Sequence, residues 1–226
     1  MKVNREIVVE AGLKLLNEVG LEQLTLRRLA KELKIQAPTL YWHFKSKEAL
    51  IDAVATLVLA QGAPGLVPSK SANDWKTWVN TFGIGLRQTL LKYRDGARVV
   101  AGSRLTDTVF METTELIGSR LVEAGFSVRK AVVLLSTVYT FTISFVIEEQ
   151  AVFPVRGERS RAYDIQKRNA KLDAKKFPLL RQSGAILFDR FEQRYKDSLD
   201  LIVRGASFPK HGSAREAPTN ERVGNG

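Results

Sequence analysis

Cysteine is absent from the 226 residues. That excludes disulfide cross-links, thiolate nucleophiles, cysteine-type zinc sites and thiol redox switching, and it suits a reducing compartment such as the cytoplasm. Histidine is almost absent as well: His43 lies near the N-terminus and His211 in the tail, so the middle of the chain can build no histidine-containing metal site. A glycine-rich phosphate loop and any close His–carboxylate spacing are also missing, leaving only carboxylates, Lys and Tyr for acid–base work. The expectation is a protein that is not an enzyme and uses no cofactor. Strict apolar alternation is confined to short ambiguous pieces such as Leu201-Ile202-Val203, which points to an all-α fold. Long apolar runs are lacking too. The N-terminus passes straight into an amphipathic pattern carrying Glu10, Lys14 and Glu18, unlike a signal peptide. The longest apolar stretch, Ala131 to Ile147, is interrupted by Ser136, Thr137, Thr140, Thr142 and Ser144. It falls short of a membrane span and reads as a buried helix of a soluble protein with no membrane partner.

What is present is a surplus of positive charge. Lys and Arg number 35 against 24 Asp and Glu, giving +11 and a pI near 9.9, which suggests a polyanionic partner, either nucleic acid or an anionic surface. More than half of that surplus sits in one stretch, residues 156–181, where nine basic residues face three acidic ones. The stretch reads as a solvated linker or as an entrance flap, with a general attraction to DNA in either case. Apolar residues at 44% and charged residues at 26% are ordinary for a folded globular chain.

Periodicity predicts helices from Arg5 to Val19, from the N-cap Thr25 to Leu33, and from Ala37 to Phe44, where Pro38 occupies a first-turn position that needs no N–H. Ser46 caps a further helix starting at Lys47, and Gln61-Gly62-Ala63-Pro64-Gly65 breaks it. Beyond that joint, helices are expected at about Asp74 to Tyr93, Ala97 to Ser103, Asp107 to Ala124, Val128 to Gln150 and Gly184 to Arg204. The resulting organisation is a head at 1–47, a connector helix at 48–65, a body at 66–206 and a tail at 207–226 expected to be disordered.

Three short helices, the last two joined by a tight turn, match the helix-turn-helix plan. In Ala37-Pro38-Thr39-Leu40-Tyr41-Trp42-His43-Phe44, Leu40 and Phe44 can face a core with Leu29 and Ile35, which leaves Thr39, Tyr41, Trp42 and His43 mostly outward. Tyr and Trp there can bond phosphates and pack on thymine methyls, Arg27 can fork onto guanine, and Lys47 can neutralise a phosphate. The plainer alternative is a purely structural three-helix unit in which Tyr41 and Trp42 cap a small core.

The stretch Leu15-Leu16-Asn17-Glu18-Val19-Gly20-Leu21-Glu22, then Thr25 with Leu29-Ala30, then Pro38-Thr39-Leu40-Tyr41-Trp42-His43 with Lys47, resembles the DNA-binding domain of the tetracycline repressor (TetR) family. The likeness continues in Tyr93-Arg94-Asp95-Gly96-Ala97-Arg98, in Gly125-Phe126-Ser127 and in Pro178-Leu179-Leu180-Arg181, and so covers most of residues 4–204. It is strongest to the tetracycline-responsive subgroup. The resemblance implies a homodimeric repressor that binds a palindromic operator and is released by a small-molecule effector. It also implies that Val128–Gln150 and Gly184–Arg204 pair across the two-fold axis; a monomer using both for its own core is the alternative. Arg27, Gln36, Ala37, Pro38, Thr39, Tyr41, Trp42, His43 and Lys47 are the implied DNA-binding positions. Ala37 stands where a glutamine able to read adenine is usual, Leu26 replaces a phosphate-binding threonine, and Lys34 stands at a turn position usually given to glycine.

The effector pocket departs further from that pattern. In the tetracycline-responsive members the drug enters as a chelate with a divalent cation, held by a histidine on the sixth helix and, through water, by a glutamate on the eighth. Here the histidine position falls on Val100, whereas Glu148 matches the glutamate. Drug-gripping positions fall on Phe82, Leu116 and Thr140, Ser103 and Arg104 keep their chemistry, and Ala63 takes the place of a histidine at the mouth. With Leu86, these residues describe an apolar pocket without metal; the alternative is that Phe82, Leu86, Val100 and Leu116 are plain core. Two other functions stay open, a non-specific architectural DNA-binding protein without an effector and a metal-dependent, tetracycline-responsive repressor.

Overall fold

Asn4, Thr25, Ser46, Asp74, Ser127 and Asp164 each place a side-chain oxygen on a backbone amide two or three residues further on, at Ile7, Arg28, Ala49, Lys76, Lys130 and Lys167. Each cap satisfies one of the otherwise orphaned first-turn donors, worth about 1 kcal/mol, and so fixes where its helix begins. The computed structural model describes residues 3–68, 74–105, 107–155 and 157–206, and the expected tail at 207–226 lies outside them. The helices are α1 (Arg5–Val19), α2 (Leu26–Glu32), α3 (Ala37–His43), α4 (Lys47–Gly62), α5 (Trp75–Leu91), α6 (Gly96–Val100), α7 (Val109–Glu123), α8 (Val128–Val152), α9 (Ile165–Ala170), α10 (Pro178–Phe188) and α11 (Phe191–Gly205). Among the described residues the only β-type pairing is an isolated bridge between Val155 and Glu158. The chain is all-α.

Helix α4 is the wall shared by two cores. Toward the N-terminus, Leu50 and Val54 close on Gly12 of α1 and on Leu29 of α2. Toward its C-terminus, Gly62 lies so close to Thr89 of α5 that a methyl group at Gly62 would overlap the threonine side chain. Helix α5 then packs against α8 and α11. There the Arg87 guanidinium forks onto Glu149 (Nε 2.9 Å, Nη2 2.6 Å) and lies over the Tyr195 ring. Thr142 gives its proton to the Val138 carbonyl, so the Tyr195 hydroxyl is the donor in the 2.7 Å bond between the two hydroxyls. Burial pushes the Tyr195 phenol up to about 12.

Several helix boundaries differ from expectation. Helix α6 stops at Val100 instead of Ser103: Ala101 already leaves the helical range (ψ 116°) and Gly102 follows at φ +74°. The helix expected over Gly184 to Arg204 is two helices broken at Asp189 and Arg190. Arg159 reaches across to donate to the Phe188 carbonyl (2.7 Å) and to the Asp189 carboxylate, and so draws the backbone out of the helix. Leu187 consequently does not continue the buried stripe of Phe191, Tyr195, Leu199 and Val203. Helix α8 starts at Val128 as expected and runs two residues past Gln150, to Val152. By length and composition it and the segment Lys47–Leu66 could each cross a membrane, but both are core helices here, with 39% and 50% of their most apolar windows buried.

The described part of the basic stretch 156–181 has no fully buried residue, yet it carries α9, and Arg159, Arg168 and Arg181 are tied to backbone carbonyls. Arg159 also donates to the Tyr163 carbonyl, Arg168 to that of Leu180, and Arg181 to those of Asn169 and Leu172. Several carbonyls around α9 and α10 are thereby met by side chains of the same segment.

A clasp joins the two ends of the molecule. Asp95 adopts a left-handed conformation (φ +55°) between α5 and α6, and its Oδ2 accepts the Leu21 amide at 2.8 Å. Beside it the Arg94 amide donates to Asn17 Oδ1 and its guanidinium to the Glu18 carbonyl, both at 2.9 Å, while Arg98 pairs with Glu22 at 2.5 Å. All four N-terminal partners belong to the α1–α2 junction, where Gly20 (φ +80°) leaves no room for a side chain beside Arg94 and Asp95.

Gly62→Ala is expected to cost about 1–3 kcal/mol in urea unfolding at fixed protein concentration, through overpacking against Thr89. Adding Thr89→Ala should recover much of that loss. Asp95→Ala should accelerate exchange of the Leu21 amide about fivefold or more, the value of one hydrogen bond of about 1 kcal/mol, and leave amides of α8 unchanged. Uniform acceleration across both regions would show that the clasp has no local role.

Candidate functional site

The head presents a surface that its own core does not use. The α2–α3 turn is closed by the Ile35 amide donating to the Ala30 carbonyl (3.0 Å) and the Lys34 amide donating to that of Lys31 (3.1 Å), with Lys34 at φ +54°. Lys34 is thus left-handed, not helical, a conformation that carries a steric penalty for any residue with a Cβ. Leu26, Leu29, Leu40 and Phe44 are buried and Ile35 is half-buried. On the other side of α3, Trp42 is 82% and Tyr41 47% exposed, Gln36 and Pro38 are exposed, and Ala37, Thr39 and His43 are half-buried. Arg27 is exposed on α2.

Lys47 differs from a free surface lysine, since its Nζ donates to the Leu21 carbonyl at 3.0 Å and ties α4 to the α1–α2 junction. Two further cations flank the reading helix that pattern reading had not singled out. Lys45 places its ammonium 5.8 Å from the centre of the Trp42 ring, and Arg5 lies over Phe44. A basic residue directly after an aromatic run was the available signal for Lys45; Arg5 is 38 positions from its partner and leaves no local signature.

The eight expected effector positions, Glu148 among them, fall in different settings. Phe82 and Leu86 of α5 and Val100 of α6 are buried in the common core, and Ala63 is buried in the 3-10 turn Ala63–Leu66. Leu116 and Thr140 are exposed, Thr140 returning its hydroxyl proton to the Ser136 carbonyl at 2.8 Å. On α7 it is the neighbour Ile117 that points inward, with Thr113 and Leu121. Ser103 is half-buried and donates to the Val99 carbonyl, and the exposed Arg104 is anchored by its amide to Asp52 of α4 at 2.9 Å. Phe110 and Tyr139, which sequence reading left aside, form an aromatic row with Phe82 at centroid distances of 6.5 and 5.9 Å. A groove of about 620 Å³ opens between α7 and the start of α8, lined by Thr114, Glu115, Gly118, Val128, Val132 and Leu135.

Glu148 is 65% exposed at its side chain and faces Arg194 of α11, 3.7 Å from Oε2 to Nη2. The Arg194 guanidinium lies against the rings of Phe145 and Phe191 (4.5 and 4.9 Å), and its buried Nε and Nη2 have no hydrogen-bond acceptor. A carboxylate facing a nearly bare guanidinium is already charge-compensated. Among the described residues no group of three or more His, Asp and Glu side chains could hold a metal ion. With an isopropyl group at position 100 and Glu148 turned to Arg194, the donors present do not fit a divalent cation chelate.

The sequence comparisons agree with this two-part layout. Residues 8–54 match the profile described as bacterial regulatory proteins, tetR family, and residues 67–207 match that of the tetracyclin repressor-like C-terminal domain. The tetracycline repressor protein class A from transposon 1721 of Escherichia coli is 39% identical over 223 residues, covering 93% of this chain and 98% of that protein. Among solved structures, a possible TetR family transcriptional regulator from Streptomyces coelicolor A3(2) superposes with a TM-score of 0.79 at 32% identity, over 89% of this chain and 98% of that one. A TetR variant from Acinetobacter baumannii AYE in complex with minocycline gives 0.69 at 32% identity, over 90% and 96%. An exposed aromatic reading helix on a helix-turn-helix head, a helical body and matches spanning both parts establish that this chain belongs to the TetR family of transcriptional regulators.

Proposed function

We propose that the protein is a homodimeric repressor that binds a palindromic operator through α3 and is released by a small, largely apolar organic effector without a divalent cation. The observation that carries the DNA half is the exposure of Tyr41 and Trp42 on the last turn of α3, opposite the buried Leu40 and Phe44. Large aromatics held outward beside Lys45 and Arg27, on a chain of net charge +11, suit phosphate and thymine-methyl contacts in a major groove. Leu26 is buried in the head, so a phosphate contact available to a threonine there is given up, and Ala37 cannot hydrogen-bond a base. Both changes favour an operator sequence of its own.

Dimerisation is supported by the apolar side chains that α8, α10 and α11 leave exposed, among them Val128, Val132, Val133, Ile186 and Leu201. A second copy would cover such a surface and supply the two-fold symmetry that a palindrome requires.

The effector half rests on the aromatic row Phe82–Phe110–Tyr139 and on the Glu148–Arg194 pair, which together offer apolar walls and no free metal ligand. Ser103, Arg104 and Thr140 are the polar groups that the family resemblance assigns to the effector and would orient the ligand. Release needs a ligand that prefers the non-binding arrangement of the heads, by about 5.5 kcal/mol for a near-complete switch. Helix α6 packs against α4, and the clasp at Asp95 abuts the α1–α2 junction, so a displacement of α6 would reach the head by two routes.

Tyr41→Ala and Trp42→Ala should each abolish sequence-specific retention in footprinting of the region upstream of the gene, with helicity and dimer unchanged. Wild-type protection should comprise two half-sites about one helical turn apart. Retained specificity in both variants would remove α3 as the reading element. In DNA-release titrations, apolar polycyclic effectors should act equally with and without EDTA. Tight induction by tetracycline with magnesium, abolished by EDTA, would overturn the metal-free pocket and restore Glu148 as a metal-site residue.

A further inference from the structure

Arg5 is misplaced as a helix residue. It is the first residue of α1, where the helix dipole presents its positive end and a cation is disfavoured. Asn4 already caps that end through the Ile7 amide, so Arg5 is not needed there. Its side chain leaves α1 altogether: Nη1 donates to the carbonyl of His43 at 2.9 Å, and the guanidinium carbon lies 4.3 Å from the centre of the Phe44 ring.

The receiving end is one that needs a partner. Helix α3 is seven residues long and has no side-chain cap at Gln36. His43 is its last residue, so the His43 carbonyl is one of the helix's final acceptors, which lack intrahelical donors. A cation there also complements the negative end of the dipole. Phe44 follows in an extended conformation (φ −136°, ψ 113°) with its ring 1% exposed, so the ring face that Arg5 covers is a fixed point of the head core.

We propose that Arg5 is a positioning residue for the reading helix, which terminates α3 and sets the angle at which Tyr41, Trp42 and His43 are presented, and that it does so without contacting a phosphate. The proposal rests on the DNA-reading role of α3. It assigns to Arg5 the discrimination between operator and random sequence, and to Lys and Arg residues elsewhere the salt-dependent attraction.

The experiment compares Arg5→Ala, Arg5→Lys and wild type in two arms. Without DNA, exchange of the Phe44 amide, which donates to the Leu40 carbonyl, should be about tenfold faster in Arg5→Ala and intermediate in Arg5→Lys, which keeps a donor but loses the planar stack. With DNA, Arg5→Ala should lower the ratio of operator to random-sequence affinity about tenfold while leaving the salt slope of non-specific binding unchanged. A uniform loss across sequences with a slope reduced by about one would make Arg5 a phosphate contact and overturn the proposal. So would unchanged exchange and unchanged discrimination. If wild type shows no preferred site while exchange at Phe44 responds as expected, the DNA reading of α3 fails and the role of Arg5 in terminating α3 stands. If Arg5→Ala does not fold, Arg5→Lys supplies the same two readouts at smaller amplitude.

Discussion

Helix α4 is buried by two different cores, and the geometry of the molecule depends on that constraint. Its N-terminal half supplies Leu50 and Val54 to the head, and its C-terminal half buries Val58 and Leu59 and brings Gly62 against Thr89 of α5. A rigid rod shared in this way cannot tilt without disturbing both ends, because close-packed interiors do not deform continuously. The clasp at Asp95 closes the circuit, since it returns from the far end of α5 to the α1–α2 junction. The rod and the clasp meet near Lys47, whose ammonium is bonded to the Leu21 carbonyl.

Much of this was legible in the sequence, and the reasons are local. The caps Thr25, Ser46 and Ser127 and the proline in the first turn of α3 fix helix starts through neighbours two or three residues away, and the pairing of Leu40 with Phe44 follows from helical spacing. What escaped depends on contacts far apart in the chain. The break between α10 and α11 is bridged by Arg159, some 30 residues upstream, and no periodicity marks it. The same holds for Arg194, whose meaning lies in its position between two rings and a glutamate of another helix. Leu116 stands exposed while Ile117, one residue on, is buried, because a single-residue offset turns a side chain about 100° around the helix.

Charge tells a similar story. The surplus of basic residues at 156–181 suggested a solvated or gating segment, yet Arg159, Arg168 and Arg181 are employed as hydrogen-bond donors to carbonyls within and beside it. Guanidinium groups suit that work because their donors form a rigid planar fork and stay charged. Net charge is thus a poor map of where the polyanion sits. The aromatic exposure on α3, with Trp42 82% and Tyr41 47% open to solvent, is the more local signal.

The three tryptophans are distributed unevenly with respect to solvent. Trp75 packs edge-on against Phe126 at 4.9 Å and Trp78 is 5% exposed under Arg120, whereas Trp42 stands 82% exposed. The chain therefore carries an intrinsic optical label in the head alone: the red-shifted, quencher-accessible part of its emission originates at the reading helix, and the blue part at the base of α5. Shielding of the first without change in the second would distinguish occupation of the head from rearrangement of the body, with no dye attached.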